Sequence, residues 1–200
     1  MLDMCVLDVL IFLNILDIPS KPHQPGYSCV SIPRSCRGGG VALFIKDTII
    51  FKCRHDLSNI NDNSFESVFI EILNSRKRKL IIGCIYRPPG RDINVFNDQF
   101  ERLLQSISSG KSEYLLAGDY NVDLFKYETN TGTESFVNNL YCHSCLSLIT
   151  RPTRFTEVSS TLKDNIITNT FNECSSYGVL IADISDHLPI FLYIKRACND

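Results

Sequence analysis

Short apolar runs separated by polar turns dominate the chain, and this pattern predicts mainly β-strands. Two of the runs, Ser67–Leu73 and Leu80–Tyr86, flank the charged segment NSRKRK, which suits a hairpin with a charged loop. The apolar run nearest the N-terminus is interpreted as a buried strand over Val9–Leu13. The remaining predicted strands are Gly39–Lys46, Ile49–Lys52, Tyr114–Ala117, Val179–Ala182 and Ile190–Ile194.

Two stretches have the spacing of amphipathic helices. In the first, apolar residues follow i, i+4, i+7, i+8 and i+11, and Gly110 lies just past the end as a stop. In the second, Thr133 is placed to cap the helix. The apolar positions are Phe96, Phe100, Leu103, Leu104 and Ile107, and then Phe136, Val137, Leu140 and Tyr141. Many strands and few helices predict an α/β sandwich of stacked sheets with helices outside, in a single domain over residues 1–200.

The composition is that of a globular protein with a sizeable core, because 44% of the residues are hydrophobic and 21% are charged. A net charge of −2 gives no overall attraction to polyanions, so any nucleic-acid site must be local. No run reaches the ~18 uncharged apolar residues of a membrane span. The apolar start carries Asp3 and Asp8 and has no basic region, which is untypical of a signal peptide. We therefore expect a protein that is neither membrane-bound nor secreted.

The nine cysteines are odd in number and scattered, which indicates a reduced, intracellular protein rather than a disulfide framework. One local cluster, Cys142-His143-Ser144-Cys145, has ligand types suited to zinc. No second Cys/His pair with finger-like spacing accompanies it, and ordinary helix packing is the alternative interpretation.

The segment GDYNVD, Gly118–Asp123, follows an apolar strand directly. Strand residues alternate between faces, so Asp119 and Asn121 are expected to point the same way at the end of that strand. A carboxylate there can accept a proton from water, and an amide can hold that water or a phosphate oxygen. A simple turn is the alternative, because Asp, Asn and Gly all favour turns.

Two further segments carry candidate groups. Ser185, Asp186 and His187 precede a long apolar strand, and a histidine held by an acid can donate a hydrogen bond to a phosphoryl oxygen. The alternative is a polar loop before a core strand. Asp164 lies in the mixed segment Ser159–Asn169, which by itself indicates little.

The segment IYRPPG, Ile85–Gly90, ends a strand at Tyr86 and continues into a rigid proline loop. A tyrosine hydroxyl at such a rim can contact phosphate, and packing is its ordinary role. Basic groups lie near many predicted strand ends, where they are suited either to a phosphate-tracking surface or to a solvated charged surface. They are Arg34, Arg37, Arg54, Arg87, Arg91, Arg151 and Arg154, with the SRKRK loop.

Together and in order, the motifs resemble the endonuclease/exonuclease/phosphatase superfamily. They are RGGGVALFIKD, IIGCIYRPPG, LLAGDYNVDL, TRFT, STLKDNIITN and ISDHLPIF. The resemblance is closer to the apurinic-type endonuclease domain of non-LTR retrotransposons and covers roughly residues 8–195. It implies a four-layer αββα sandwich of two mostly antiparallel sheets. It also implies hydrolysis of a phosphodiester in DNA that depends on Mg²⁺, with Mn²⁺ as a substitute.

The resemblance also assigns roles to residues. Asp119 would orient or deprotonate the attacking water, and Asn121 would help to position it with the phosphate. His187, held by Asp164, would stabilise the pentacovalent phosphorane. Tyr86 matches a family position that contacts phosphate.

Four other residues are expected to contact phosphate or DNA. Thr156 matches a second family position that contacts phosphate, and Ser185 is expected in the same pocket. Arg87 and Arg154 are the basic candidates, and Asp186 is expected as an acid near the metal.

The chain departs from the family at the metal. An early strand of the family carries a metal-binding Glu, and ungapped matching from Asp8 puts Asn14 at that position. Asn14 would be a weaker, neutral ligand, and Asp17 reaches the position only after a register shift. The family's first strand, which would otherwise cover a sheet edge, and the reverse transcriptase domain are also absent from this sequence.

Three functions follow as hypotheses. The first is a DNA endonuclease that nicks target DNA for retrotransposition and is impaired by the loss of the Glu. The second is a catalytically inactive nucleic-acid-binding remnant of a mobile element. The third is a phosphomonoesterase of the same superfamily. For the first two, DNA is the expected partner and a nuclear monomer the expected form.

Overall fold

A computed structural model of the protein describes residues 4–6, 9–13, 23–32, 40–58, 64–73, 79–110, 112–170, 174–182 and 185–197. These residues form strands β1 to β14, helices α1 and α2, and one short 3-10 helix, Leu124–Lys126. The strands are β1 Met4–Val6, β2 Val9–Leu13, β3 Tyr27–Ile32, β4 Val41–Lys46, β5 Phe51–Cys53, β6 Glu66–Leu73, β7 Lys79–Tyr86, β8 Glu113–Asp119, β9 Leu146–Ser147, β10 Arg154–Thr156, β11 Ser159–Thr161, β12 Asp164–Thr168, β13 Cys174–Val179 and β14 Ile190–Ala197. The helices are α1 Ile93–Ser108 and α2 Thr131–Cys142.

The largest sheet has six strands in the order β5-β6-β7-β8-β12-β9. Only the β7–β8 pair of this sheet is parallel, and its other pairs are antiparallel. The remaining described strands pair as β2-β4-β3, β1-β14-β13 and the hairpin β10-β11. Sheets of mostly antiparallel strands with two helices make the α/β sandwich that the sequence predicts.

The two faces of the six-stranded sheet have different neighbours, because alternate residues of a strand point in opposite directions. On one face, Ile81 and Ile85 of β7 pack in a core with the aromatic residues of α1 and α2. On the other face, Ile82 and Cys84 pack against β4 residues such as Leu43. This second face therefore packs against the β2-β4-β3 sheet, and the apolar core lies between that sheet and the six-stranded one.

Helix α1 confirms the predicted amphipathic stretch, since its buried residues include all five predicted apolar positions. The helix begins after Asp92, whose side chain accepts a hydrogen bond from Asn94 N at 2.8 Å. For α2 the predicted cap was wrong. Asn130 is the N-cap and accepts from Thr133 N at 2.9 Å, so Thr133 lies inside the first turn. Tyr141, predicted on the apolar face, is 59% exposed.

Two predicted strands were placed wrongly. The strand predicted over Ile49–Lys52 is observed as β5 over Phe51–Cys53, and Ile49 belongs to the turn before it. The strand predicted over Val179–Ala182 is observed earlier in the chain, as β13 over Cys174–Val179, so it ends at the residue where the predicted strand begins. Leu180 and Ile181 are 51% and 97% exposed, so their apolar character does not reflect burial in a strand.

Several strands were not predicted at all, because their sequences are short or polar. Strand β3 reads YSCVSI, and the β10-β11 hairpin consists of RFT and SST. These strands form because neighbouring strands provide backbone partners for them. Among the described residues, neither helix combines the length and the apolar character that a membrane crossing requires.

Candidate active site

Four polar residues lie in one row across the six-stranded sheet. Glu66 pairs in register with Tyr86, Tyr86 with Asp119, and Asp119 with Asp164. Paired residues on neighbouring strands point to the same face, and the strands are about 4.8 Å apart. All four residues are buried. The row therefore forms a polar boundary to the apolar core between the sheets.

Asp119 is the last residue of β8, and Gly118 before it allows the strand to approach β7 closely. A Cβ at position 118 would lie 1.8 Å from the carbonyl oxygen of Ile85, so only glycine fits. After the strand, Asn121 adopts a positive φ of 48°, a conformation that Asn tolerates better than most residues. The turn folds Asn121 back so that its backbone N–H donates to Asp119 Oδ1 at 2.9 Å.

The amide of Asn121 is fully engaged by its neighbours. Its Nδ2 donates to Asp119 Oδ2 at 3.1 Å and to the backbone oxygen of Arg87 at 2.8 Å. Its Oδ1 accepts from the ammonium of Lys163 at 3.4 Å. With two acceptors on one side and a cation on the other, the orientation of the amide is defined by its partners.

Arg87 is buried beneath this turn and acts as its scaffold. Its backbone N–H donates to Asp119 O at 2.9 Å, and its Nη1 donates to Asn121 O at 3.1 Å. Its Nη2 donates to the backbone oxygen of Arg91, and its guanidinium lies 5.5 Å from the ring centroid of Phe96. Burial lowers the pKa of Arg87 from its usual value. Arg87, predicted to contact DNA, is thus only 6% exposed, and its two Nη atoms donate to backbone oxygens of the protein.

Asp164 and His187 form the second half of the site. The Nδ1 of His187 lies 2.9 and 3.1 Å from the two carboxylate oxygens of Asp164. Thr153 supports this arrangement, because its Oγ1 accepts from Asp164 N at 3.0 Å and its backbone oxygen accepts from Leu188 N at 2.7 Å. One buried threonine thus aligns the start of β12 with the histidine loop.

The electrostatics of the site follow from burial and proximity. Burial, and then the charge of Asp164, raise the pKa of Asp119 to about 6. The hydrogen bond to Asp164 raises the pKa of His187 above its ordinary value, and burial opposes it. The pKa values of Asp119 and His187 are both raised, so each group keeps its proton to a higher pH than it would in water.

Asp119, Asp164 and His187 each offer a potential metal-ligand atom, and these atoms lie within 4.8 Å of one another. Within the described part of the chain they make up the one group of three such residues with that geometry. Two buried carboxylates and an imidazole are a donor set that a divalent cation can use.

The residues predicted around this centre lie at its exposed rim. Asp186 is paired with Arg154 Nε at 2.8 Å, and this bond lowers the pKa of Asp186. The two side chains are 50% and 33% exposed. Ser185 Oγ donates to His187 O at 2.9 Å, and Thr156 Oγ1 shares a 2.8 Å hydrogen bond with Ser159 in the β10-β11 hairpin.

The structure thus brings the neighbouring residues Asp119 and Asn121 together with Asp164 and His187, which lie much later in the chain. Tyr86 lies beside Asp119 in the row described above. Asn14, the predicted replacement for the metal-binding Glu, lies outside the described residues.

Three residues of the site were not predicted from the sequence. Lys163 reaches Asn121, Thr153 holds the backbone before Asp164, and Glu66 extends the polar row and accepts from Gly40 N at 2.9 Å. The position of Glu66 could have been noticed in the sequence, because it is an acidic residue directly before the apolar run SVFI. The other two carried no such signal, because a Lys or Thr in a polar loop is unremarkable without its tertiary neighbours.

Comparison with known proteins found no matching family model and no matching curated sequence. Solved structures do match. One is the endonuclease domain of TRAS1, a telomere-specific non-LTR retrotransposon, with a TM-score of 0.71 and 16% identity over 86% of this chain and 80% of that one. Another is the 3'-5' exonuclease NExo from Neisseria meningitidis, with a TM-score of 0.68 and 14% identity over 94% and 90%. A third is the human Nocturnin catalytic domain, with a TM-score of 0.63 and 19% identity over 93% and 80%.

These likenesses show the fold. The protein has the fold of the endonuclease/exonuclease/phosphatase superfamily, which confirms at the level of architecture the resemblance seen in its motifs.

Proposed function

We propose that the protein is a metal-dependent phosphodiesterase that acts on DNA as an endonuclease. The observation that carries the proposal is the continuous cluster of Asn121, Asp119, Asp164 and His187 at one end of the central sheet. The likeness in fold to the TRAS1 endonuclease domain supports DNA as the substrate. The motif resemblance to retrotransposon endonucleases, which act on chromosomal DNA, supports the nucleus as the place of action.

In this proposal the residues divide the work of hydrolysis. Asp119 accepts a hydrogen bond or proton from the attacking water, and Asn121 keeps that carboxylate in position through two hydrogen bonds. Asp164 binds Nδ1 of His187, which leaves the other ring nitrogen of His187 to interact with a phosphate oxygen. A protonated His187 stabilises the negative charge that develops there.

The donor set fits a divalent cation, because Mg²⁺ favours carboxylate oxygens and Asp119 and Asp164 present two within a short distance. A carboxylate oxygen has a second lone pair, so Asp119 and Asp164 would hold the cation while they keep their hydrogen bonds to Asn121 and His187. The resemblance adds Asp186 and Asn14 as further candidates. When bound, Mg²⁺ or Mn²⁺ would supply positive charge to offset the charge that develops on the phosphate.

The experiment is nicking of supercoiled plasmid DNA by the purified protein with and without Mg²⁺. We expect nicking that requires the metal and falls roughly 10²-fold or more in His187→Ala. His55→Ala is the matched control, because His55 is exposed and is not part of the site. Nicking that persists unchanged in His187→Ala, or that continues after the metal is removed by a chelator, would overturn the proposal.

The inactive remnant remains the alternative that the same assay separates. If the wild type binds DNA without nicking it, Asn14→Glu restores the carboxylate that the resemblance places at that position. Metal-dependent nicking by Asn14→Glu alone would show that the loss of one ligand inactivated the enzyme. No nicking by either protein would favour the remnant.

A phosphatase is the second candidate function, because two proteins of like fold carry that activity in their names. They are the 3' phosphatase NExo from Neisseria and ANGEL2, a 2',3'-cyclic phosphatase. An oligonucleotide that ends in a 3'-phosphate distinguishes the candidates, since release of phosphate without backbone cleavage would favour the phosphatase.

A further inference from the structure

We propose that Lys163 is a phosphate-binding residue of this site, which donates hydrogen bonds from its ammonium to a non-bridging oxygen of a phosphodiester. The inference rests on the proposed function for the identity of the substrate. It concerns a residue that neither the motifs nor the resemblance assigns.

The backbone of Lys163 is held in place on both sides. Its N–H donates to Thr153 Oγ1 at 3.2 Å, and its carbonyl oxygen accepts from Tyr120 N at 3.1 Å. The half-buried side chain of Lys163 extends to Asn121, and its ammonium lies 3.4 Å from Asn121 Oδ1. Lys163 is thus directed into the site by the same backbone segment that presents Asp164.

His187 offers one ring nitrogen to a phosphate oxygen, and a phosphodiester has two non-bridging oxygens, so the site needs a further hydrogen-bond donor. Both amide hydrogens of Asn121 are directed at protein acceptors, Asp119 Oδ2 and the backbone oxygen of Arg87. Asn121 can therefore position other groups but has no N–H left for a phosphate oxygen. An ammonium has three donors, and Asn121 Oδ1 occupies one of those of Lys163.

The other cations near the site are committed elsewhere. Arg87 is buried and bound to backbone oxygens, and Arg154 is paired with Asp186 at the rim. Within the described residues, the ammonium of Lys163 forms no ion pair with a carboxylate, although its charge lowers the pKa of Asp119. A cation that is partly withdrawn from water beside a neutral amide gains a counter-charge when a phosphate binds.

The test measures binding separately from cleavage. A labelled DNA duplex is titrated with the protein in EDTA, over a range of salt concentrations, and followed by fluorescence anisotropy. Lys163→Met keeps the apolar stem beside Val122 and Leu124. We expect it to weaken binding roughly tenfold and to reduce the slope of log K against log salt by about 0.9, the value of one phosphate contact.

Two variants control this measurement. Lys163→Arg keeps the charge and should retain most of the binding and the wild-type salt slope. Lys79→Met removes an exposed lysine at the start of β7, at the opposite end of that strand from Tyr86, and should leave both unchanged. If Lys163→Met matches the wild type in affinity and slope, the proposal is wrong.

A measurement on the wild type removes any dependence on how the variants fold. Reductive methylation of lysines is read by mass spectrometry, alone and with either inorganic phosphate or the duplex. Protection of Lys163 but not of Lys79 by either ligand supports the proposal. Protection by the duplex alone indicates that the longer DNA backbone is needed, and no protection by either overturns the proposal.

The outcomes also separate this proposal from the proposed function. If the wild type nicks DNA and Lys163→Met binds it normally, the nuclease stands and Lys163 is not a phosphate ligand. If no protein nicks DNA but Lys163→Met loses the phosphate contact, hydrolysis is wrong and the binding role stands.

Discussion

The site consists of two regions that are held in different ways. The floor, which we define as Arg87, Asp119, Asn121 and Asp164, is fastened by hydrogen bonds to backbone atoms of buried strands and turns. The rim, defined as Arg154, Thr156, Ser185 and Asp186, is held by exposed side chains, among them one solvent-accessible ion pair. His187 connects the two, since its ring meets Asp164 and its backbone meets Ser185.

The two regions differ in rigidity because one is buried and the other is exposed. Buried hydrogen bonds are costly to break, because the groups left behind have no water to replace the lost partner. An exposed ion pair contributes little, since water and salt compete with it. The floor is therefore held more rigidly than the rim, whose exposed ion pair and hydrogen bonds are easier to break.

The largest expected effect is the loss of nicking activity when Asp119, a floor residue, is changed. Asp119→Asn removes the proton acceptor and one negative charge while it keeps the size of the side chain. Metal-dependent nicking should fall by roughly 10²–10⁴-fold. Asp98→Asn, on the exposed side of α1, is the control and should nick like the wild type. Equal activity of the two variants would remove Asp119 from the mechanism.

The next effect tests the floor as a scaffold. Arg87→Met leaves two backbone oxygens, those of Asn121 and Arg91, without the donors that the guanidinium provides. The free energy of unfolding should fall by about 3 kcal/mol, measured by urea denaturation. Arg102→Met, on the exposed face of α1, should change it by less than about 0.5 kcal/mol. A loss in Arg87→Met as small as in the control would mean that the guanidinium does not support the turn.

A third prediction concerns stability and pH without metal. The folded-state pKa of Asp119 is about 6, above the ordinary value of 3.8, so the folded protein binds this proton more tightly than the unfolded chain does. Its ionisation therefore costs stability as the pH rises from about 4 to 6, and the full cost remains above that range. At pH 7, Asp119→Asn should be more stable than the wild type by about 3 kcal/mol, the free energy that corresponds to this difference in pKa.

That gain should shrink towards zero as the pH falls to about 4, when denaturation of both proteins is followed in EDTA. A variant that is inactive and yet more stable would show that the floor trades stability for function. A constant difference at every pH would instead point to an effect of packing.

The smallest effect tests the rim. Arg154→Ala breaks an ion pair whose carboxylate is half exposed, so the free energy of unfolding should change by no more than about 1 kcal/mol. The pKa of Asp186, followed by NMR, should rise towards its ordinary value when the guanidinium is removed. Arg151→Ala, an exposed neighbour, should leave that pKa unchanged. A loss of stability as large as in Arg87→Met would erase the distinction between floor and rim.

Local sequence patterns were sufficient to predict helix α1 and the polar end of strand β8. The spacing of Phe96, Phe100 and Ile107 predicts α1, because a helix with one apolar stripe can only bury that stripe against a core. The order Gly118, Asp119, Asn121 predicts a strand end with polar groups, because each residue type has a backbone preference that suits the turn.

Other features carried no local signal. Strand β3 and the β10-β11 hairpin are too polar or too short to stand out, and they exist because neighbouring strands complete their hydrogen bonds. Thr133 was a plausible cap by type, but Asn130 lies three residues earlier and accepts from the backbone N–H of Thr133 itself. Two nearby residues of similar capping preference are distinguished only by where the helix begins in the fold.

By itself, the sequence determined which groups were available and which short segments carried them, because residue types and their spacing act over a few positions. Tertiary structure decided which of those groups meet. It aligned Asp164 with Asp119 by strand register, turned Arg87 inward to the backbone, and directed Lys163 towards Asn121. These contacts join residues more than thirty positions apart or belong to neighbouring strands, so they depend on the packing of the whole sheet and not on any local preference.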